Sequence, residues 1–282
     1  MNTLTISQYE RRHRQDVLDL LFHSAHIHIH LDWLRAEQWL EVPDNIIRLA
    51  WQQDRLIGLI GAAAPLRNTS WLRLIVVADD VPPDTVLEPL WETIIAAMHE
   101  QKIHLMAVLQ IENWLGKHLK ALGFEYEEDI ITLSRSGHTL AENIHNPIPI
   151  RPATMNDLER MIEVDLAAFA PPWQLSSEDL RSAKRLATIC TVASIDETIV
   201  GYQLSTTYNQ NGHLARLAVL PEVQGKGVGS SLVHDMITRF QRRNIQTITV
   251  NTQASNARSQ QLYVRFNFLQ NGYDLPVWFF TP

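Results

Sequence analysis

The chain repeats itself once. Ile6 and Ile150, and Phe124 and Phe268, stand 144 positions apart, while Gly58 and Gly201, and Arg73 and Arg216, stand 143 apart. A period this long copies a whole domain and not the short unit of a solenoid, so two copies of one fold are expected. The length of 282 residues is comfortable for two domains. The expected boundaries are 1–135 for the first copy and 150–282 for the second. A linker over 136–149 closes on Pro147 and Pro149.

Each copy reads as the same series of elements. The first opens with a short strand at 4–6 and a helical pattern at Val17, Leu18, Leu20 and Leu21. A hairpin follows over 46–51 and 56–62, then a strand at 71–77. Leu87, Leu90, Trp91, Ile94, Ile95 and Met98 then recur at helical spacing. A strand at 103–109, a short helix at 114–122 stopped by Gly123, and a strand from Phe124 complete the copy. The second repeats this as a strand at 148–151, a helix at 156–169, a hairpin over 188–193 and 198–204, and a strand at 213–220. After its long helix come a strand at 246–250, a helix at 257–266 and closing strands that end at 277–280.

The copies part company at 218–231. There three alternate glycines, Gly225, Gly227 and Gly229, follow an apolar strand and precede Leu232, Val233, Met236, Ile237 and Phe240 on one helix face. Strand, glycine loop and helix together aim backbone N–H groups and a helix dipole at one spot, an anion site. The lysine lies between glycines, which excludes a P-loop, and Ser230 occupies the last glycine of a dinucleotide fingerprint. What remains is Q-x-x-G-x-G, as Gln224, Gly227 and Gly229. A second motif lies downstream: Asn256, Ser259, Leu262, Tyr263, Asn267 and Phe268 fit N-x-x-A-x-x-L-Y-x-x-x-G-F, with serine for alanine and asparagine for glycine. Asparagine tolerates the left-handed conformation that glycine would take.

The two motifs together resemble the GNAT superfamily of N-acetyltransferases, over about 135 residues and, weakly, over the first half too. The resemblance implies an α/β (α+β) fold of two tandem GNAT-like acyl-CoA N-acyltransferase domains. Each would be a mixed, mostly antiparallel sheet flanked by helices. It implies acetyl-CoA as co-substrate and acetyl transfer to a primary amine by direct attack. The pyrophosphate would accept from Gln224, Gly225, Lys226, Gly227, Val228, Gly229 and Ser230. The pantetheine arm would pair with the strand edge at Leu217, Ala218 and Val219, and Asn256 and Ser259 would also face the cofactor. Tyr263 would act as the acid for the leaving thiolate. Residues 150–180, with Glu163, Phe169 and Trp173, resemble the ribosomal-protein alanine acetyltransferases. Phe169 and Trp173 would line the acceptor side. Those enzymes carry a glutamate five residues before the motif asparagine, where this chain has Asn251, which takes no proton. His213 is the expected substitute base. Tandem members also occur in mycothiol biosynthesis, so the acceptor is read as a small amine or a peptide. A non-catalytic acyl-CoA-binding module is the competing class.

In the first copy the loop position reads Val81-Pro82-Pro83-Asp84-Thr85-Val86, without glycines, and Leu119 stands for Tyr263. Prolines lack the N–H donor, and Asp79, Asp80 and Asp84 would repel a pyrophosphate. Only the second copy is therefore expected to bind nucleotide. Residues 1–145 hold 12 basic against 20 acidic residues and residues 146–282 hold 12 against 11, which disfavours nucleic acid or an anionic membrane as partner. The longest apolar run, 56–66, is too short to span a bilayer, and a cytoplasmic protein is expected. Cys190 is the lone cysteine and lies far from both motifs, so neither a disulfide framework nor a covalent intermediate is implied. As a strand, His26, His28 and His30 would share a face and could hold zinc; as a helix, His23, His26 and His30 would align. No carboxylate or cysteine signature accompanies them, and no metal is expected.

Overall fold

A computed structural model describes residues 4–137 and 148–282; of the expected linker, 138–147 lie outside the described residues. The first series of elements is β1 (Leu4–Gln8), α1 (Arg14–His23), β2 (His26–Ile29), α2 (Ala36–Trp39), β3 (Ile46–Gln52), β4 (Arg55–Ala62), β5 (Thr69–Val77), α3 (Pro83–Glu100), β6 (Leu105–Leu109), α4 (Leu115–Ala121) and β7 (Glu125–Arg135). The second is β8 (Ile150–Pro152), α5 (Leu158–Ala168), α6 (Ser177–Leu186), β9 (Ile189–Ile195), β10 (Thr198–Tyr208), β11 (Asn211–Val219), α7 (Val228–Gln241), β12 (Ile248–Gln253), α8 (Ala257–Arg265), β13 (Leu269–Gln270) and β14 (Leu275–Phe280).

Two compact units result, but not along the expected boundaries: one takes 1–128 with 275–282, the other 129–274. The reason lies in strand pairing. In the first unit β6 pairs antiparallel with β14, from Val277↔Leu109 to Phe280↔Met106. In the second, β12 pairs antiparallel with residues 130–135 of β7. Each copy thus supplies the strand that completes the other copy's sheet. Ile130, Ile131, Leu133, Val277 and Trp278 are all buried where they pair. Their apolar pattern declares a strand without declaring its neighbour.

Within each unit the sheet is antiparallel apart from one parallel pair, β5 with β6 and β11 with β12. Helices cover it. α7 buries Val228, Leu232, Val233, Met236, Ile237 and Phe240, each fully buried side chain of this kind contributing about 1.5–3 kcal/mol. Gly58 and Gly201 serve the same purpose in the two copies. A Cβ at Gly58 would lie 2.2 Å from Val86 Cγ1 of α3, and one at Gly201 would lie 3.0 Å from Val228 Cγ1 of α7. The helix after the loop can therefore press directly on the strand. The short helices α4 and α8 also end alike, on left-handed Gly123 (φ 87°) and Asn267 (φ 61°). Phe124 and Phe268 donate N–H to the carbonyls of Leu119 and Tyr263 at 3.0 and 3.1 Å.

Candidate active site

The second unit opens where β11 loses a neighbour. β11 runs beside β12 only from Gly212↔Ile248 to Leu214↔Val250. On its other side β10 follows it to Val219, with a register slip that leaves Ala215 as an extra residue. Among the described residues no strand lies on the second edge of β11 over 215–219. A row of open peptide groups is a template for an extended, amide-bearing ligand.

The glycine loop lies at the end of that edge. Gly225 (φ 82°) and Gly227 (φ 91°) are left-handed, and Gly227 is the N-cap of α7. A Cβ on either would meet nothing within 4 Å, so these glycines serve the backbone angle rather than space. The N–H groups of Val228, Gly229 and Ser230 form the first turn of α7 and have no carbonyl one turn back. Together with the helix dipole they favour an anion. Gln224 ties the loop down: its Nε2 donates to the Val219 carbonyl at 3.0 Å, and its Oε1 accepts from Arg258.

Helix α8 forms the facing wall. Asn256 Oδ1 caps it by accepting from the Ser259 N–H at 3.0 Å. Arg265 Nη2 donates to Ser230 Oγ at 3.1 Å. Between the walls lies a cleft of about 1020 Å³, lined by Ala168, Phe169, Leu217, Val219, Gln224, Gly225, Gly227, Gly229, Ser230, residues 256–262, Val264 and Arg265. No carboxylate lines it. The Tyr263 ring is buried and tilted against Phe268, with centroids 5.8 Å apart. Burial raises its phenol well above the ordinary value, so it is protonated at neutral pH.

Beyond Leu217 the cleft is bounded by a buried ionic cluster. Arg216 donates from Nε and Nη2 to the two oxygens of Asp165, both at 2.8 Å, and from Nη2 to the Trp173 carbonyl at 2.7 Å. The Tyr202 hydroxyl donates to Asp165 Oδ2 at 2.5 Å, and the Leu175 N–H to Oδ1 at 2.9 Å. The Phe169 ring covers the guanidinium at 3.6 Å. Asp165 and Tyr202 are fully buried. Burial, then the Asp165 charge, pushes the Tyr202 hydroxyl upward, which keeps it a donor. The cluster thereby fixes residues 169–175 against the sheet.

The sequence over 158–268 matches the Acetyltransferase (GNAT) family. An uncharacterised N-acetyltransferase of Methanocaldococcus jannaschii is 30% identical over 120 residues, 42% of this chain and 76% of the relative. The chain belongs to the GNAT acetyltransferase family. A [ribosomal protein bS18]-alanine N-acetyltransferase of Haemophilus influenzae is similar to this GNAT chain at 25% identity over 112 residues, 40% of the chain and 75% of the relative. The GNAT fold extends over both copies. A tandem GNAT protein from the clavulanic acid biosynthesis pathway superposes at a TM-score of 0.66 and 13% identity, over 99% of this chain and 98% of its own. An N-acetyltransferase from Kribbella flavida superposes at 0.71 and 12% identity, over 99% of this chain and 72% of its own.

Not every residue singled out by sequence reaches this GNAT cleft. Phe169, Leu217, Val219, Gln224, Gly225, Gly227, Gly229, Ser230, Asn256 and Ser259 line it. Ala218 and Val228 are buried, Ala218 because the strand pleat turns it away from Leu217 and Val219. Lys226 and Trp173 lie outside the lining, and Trp173 contributes its carbonyl to Arg216. Tyr263 is buried and lies outside the lining between Leu262 and Val264, which belong to it, and His213 is outside as well. Its Nδ1 hydrogen-bonds Thr249 Oγ1 at 2.9 Å, and burial lowers its pKa. His213, expected as the base, is thus held by Thr249 of β12 and does not line the cleft. Sequence reasoning also missed residues. Arg258 and Arg265 share a helix face with Leu262, a period that could have flagged them, whereas nothing local announces the Asp165–Arg216 pair.

The first unit keeps the break in pairing but fills it. β6 follows β5 only from Thr69↔Leu105 to Trp71↔Ala107. The open edge beyond is taken by β2, from His26↔Val77 to Ile29↔Leu74. Trp114 Nε1 donates to the Ile27 carbonyl at 3.1 Å, and Asp79 accepts from the Ala25 N–H at 2.7 Å, which pins both sides of the strand. The histidines diverge: His26 lies 3.6 Å from Asp79 and His30 lies 3.0 Å from Asp32. Among the described residues no group of three or more metal-ligating side chains is found, and no helix is long and apolar enough to cross a membrane.

Proposed function

We propose that the second unit transfers an acetyl group from acetyl-coenzyme A to a primary amine, and that the first unit binds no nucleotide. The observation that carries this reading is the open β11 edge over 215–219, ending at the glycine loop inside a cleft without carboxylates. The pantetheine amides would pair with that edge, and the diphosphate would accept from the first turn of α7. The amine nitrogen forms a bond to the acetyl carbonyl carbon as the carbon–sulfur bond breaks. Tyr263, set in α8 between the lining residues Leu262 and Val264, gives its proton to the sulfur, and solvent restores it as the nitrogen sheds its surplus proton. Among the described residues no carboxylate or imidazole lines the cleft to act as base. The amine therefore enters neutral, losing its proton to water as it passes the apolar surface of Phe169 and Leu217.

Thiol release from acetyl-coenzyme A, measured with a panel of peptides bearing free N-termini and of small amino metabolites, tests this. Turnover with at least one primary amine and none with its N-methylated tertiary form is expected. Release that is independent of any amine would remove the transferase reading. Calorimetric titration of the full chain with coenzyme A should give one site per chain, and two sites would refute the inert first unit.

A further inference from the structure

Arg258 and Arg265 are the only charged side chains of the cleft lining, and neither meets a carboxylate. Among the described residues neither takes part in an ion pair; their partners are the neutral Gln224 Oε1 and Ser230 Oγ. They lie seven residues apart on α8, two turns along one face, about 10 Å apart at the backbone. One stands over the start of the glycine loop and the other over the first turn of α7. The neutral partners hold both guanidinium groups in place without cancelling their charge. A diphosphate laid on the loop is already served by backbone N–H groups and the helix dipole. Two uncompensated positive charges on the opposite wall therefore ask for a further anion, and a dianionic phosphomonoester matches them in charge and in fork geometry.

We propose that Arg258 and Arg265 bracket the 3′-phosphate of the coenzyme's ribose, and so make the cleft select the 3′-phosphorylated nucleotide over its dephosphorylated form. The proposal rests on the coenzyme A reading of the cleft and adds to it which end of the nucleotide decides affinity. The long, flexible arginine side chains reach from α8 across the loop, and their planar groups can each donate two hydrogen bonds to one phosphate.

The test is a calorimetric titration of the full chain with coenzyme A and with 3′-dephospho-coenzyme A, for the wild type, R258Q, R265Q and the double variant. Circular dichroism and thermal unfolding check that each variant is folded. Both positions are exposed on the helix surface, and glutamine keeps the helix. The wild type should bind coenzyme A about tenfold more tightly than the dephosphorylated form, a typical gain from charge-assisted hydrogen bonds. The double variant should lose that preference by weakening coenzyme A alone, and R258K with R265K should recover part of it. Equal wild-type affinities would overturn the proposal while leaving the coenzyme A reading intact. A parallel loss for both nucleotides would overturn it as well, by assigning the arginines to the diphosphate. Failure of the wild type to bind either nucleotide would sink the coenzyme A reading and the proposal with it.

Discussion

The two copies answer the same structural problem in opposite ways. Each breaks the pairing of its central parallel strands, leaving one strand edge without a neighbour. In the first copy residues 26–29 close that edge as β2. Moving 144 positions on gives Ala170-Pro171-Pro172-Trp173, where two consecutive residues have no N–H to offer a strand. That segment is drawn instead to Arg216, through the Trp173 carbonyl and the Phe169 ring, and the edge stays open. The charges differ in the same sense. A pocket of about 550 Å³ in the first unit is lined by Asp16, Asp19, Asp54, Asp79 and Asp80 with His23 and Arg55, whereas the second unit's cleft carries arginines and no carboxylate. The aspartates of the first copy also hold its own structure: Asp80 accepts from Arg55 at 2.6 and 2.8 Å, and Asp84 pairs with His118 at 2.5 Å. The first copy thus differs from the second by more than its missing glycines, because its open edge is filled by the chain itself.

The largest expected effect separates the two arginine–aspartate pairs. Asp165→Ala leaves Arg216 buried without its partner and should cost about 3–5 kcal/mol in urea unfolding of the full chain. Asp32→Ala in the first copy removes a partner of Arg73 that is 31% exposed, and should cost less than about 1 kcal/mol. Similar losses from the two would erase the contrast. Next comes chemistry. Tyr263→Phe should lower turnover by about one to two orders of magnitude with coenzyme A affinity unchanged, and Leu119→Tyr should create no activity in the first copy. Unaltered turnover in the Tyr263 variant would dismiss it as the acid. A smaller effect comes from Gly227→Asp, which imports the charge of the first copy into a left-handed position. Coenzyme A should then bind about tenfold more weakly, since the new carboxylate stands at the N-cap of α7 where the diphosphate would accept. The reverse change, Asp84→Gly, should leave the stoichiometry at one, because β2 still occupies the edge.

The smallest effect concerns β2. His28 is fully buried, and burial first, then the charges of His30 and Arg73, lower its pKa to about 3. The unfolded chain takes up this proton below about pH 6.5. The folded chain resists until near 3, so in that window the unfolded state binds more protons and stability falls as the pH is lowered. The urea midpoint should therefore drop more steeply between pH 7 and pH 4 in the wild type than in His28→Phe. Identical slopes would show that His28 is not the group responsible.

Much of this was legible in the sequence, and the illegible part has a common cause. The glycine loop is written locally, because Gly225 and Gly227 take backbone angles few other residues accept and the helix face of α7 recurs every turn. Asn267 takes the left-handed φ that its motif position asks for. The histidine segment could be read as strand or helix, and only the vacancy beside β5 made it a strand. His213 looked suited to proton transfer by type and position, yet Thr249 holds its ring outside the cleft.

The sequence by itself determined the duplication, the order of elements in each copy, the glycine loop and its absence from the first copy. These follow from torsional preferences and periodicities that act within a few residues. Tertiary structure alone decided that β7 and β14 are exchanged between the units, that β2 fills one edge while Arg216 and Asp165 keep the corresponding segment off the other, and that two arginines face the loop. Each is a choice of partner across a long stretch of chain. It is made by which edge still needs hydrogen bonds and which charge still needs compensation once the elements have packed.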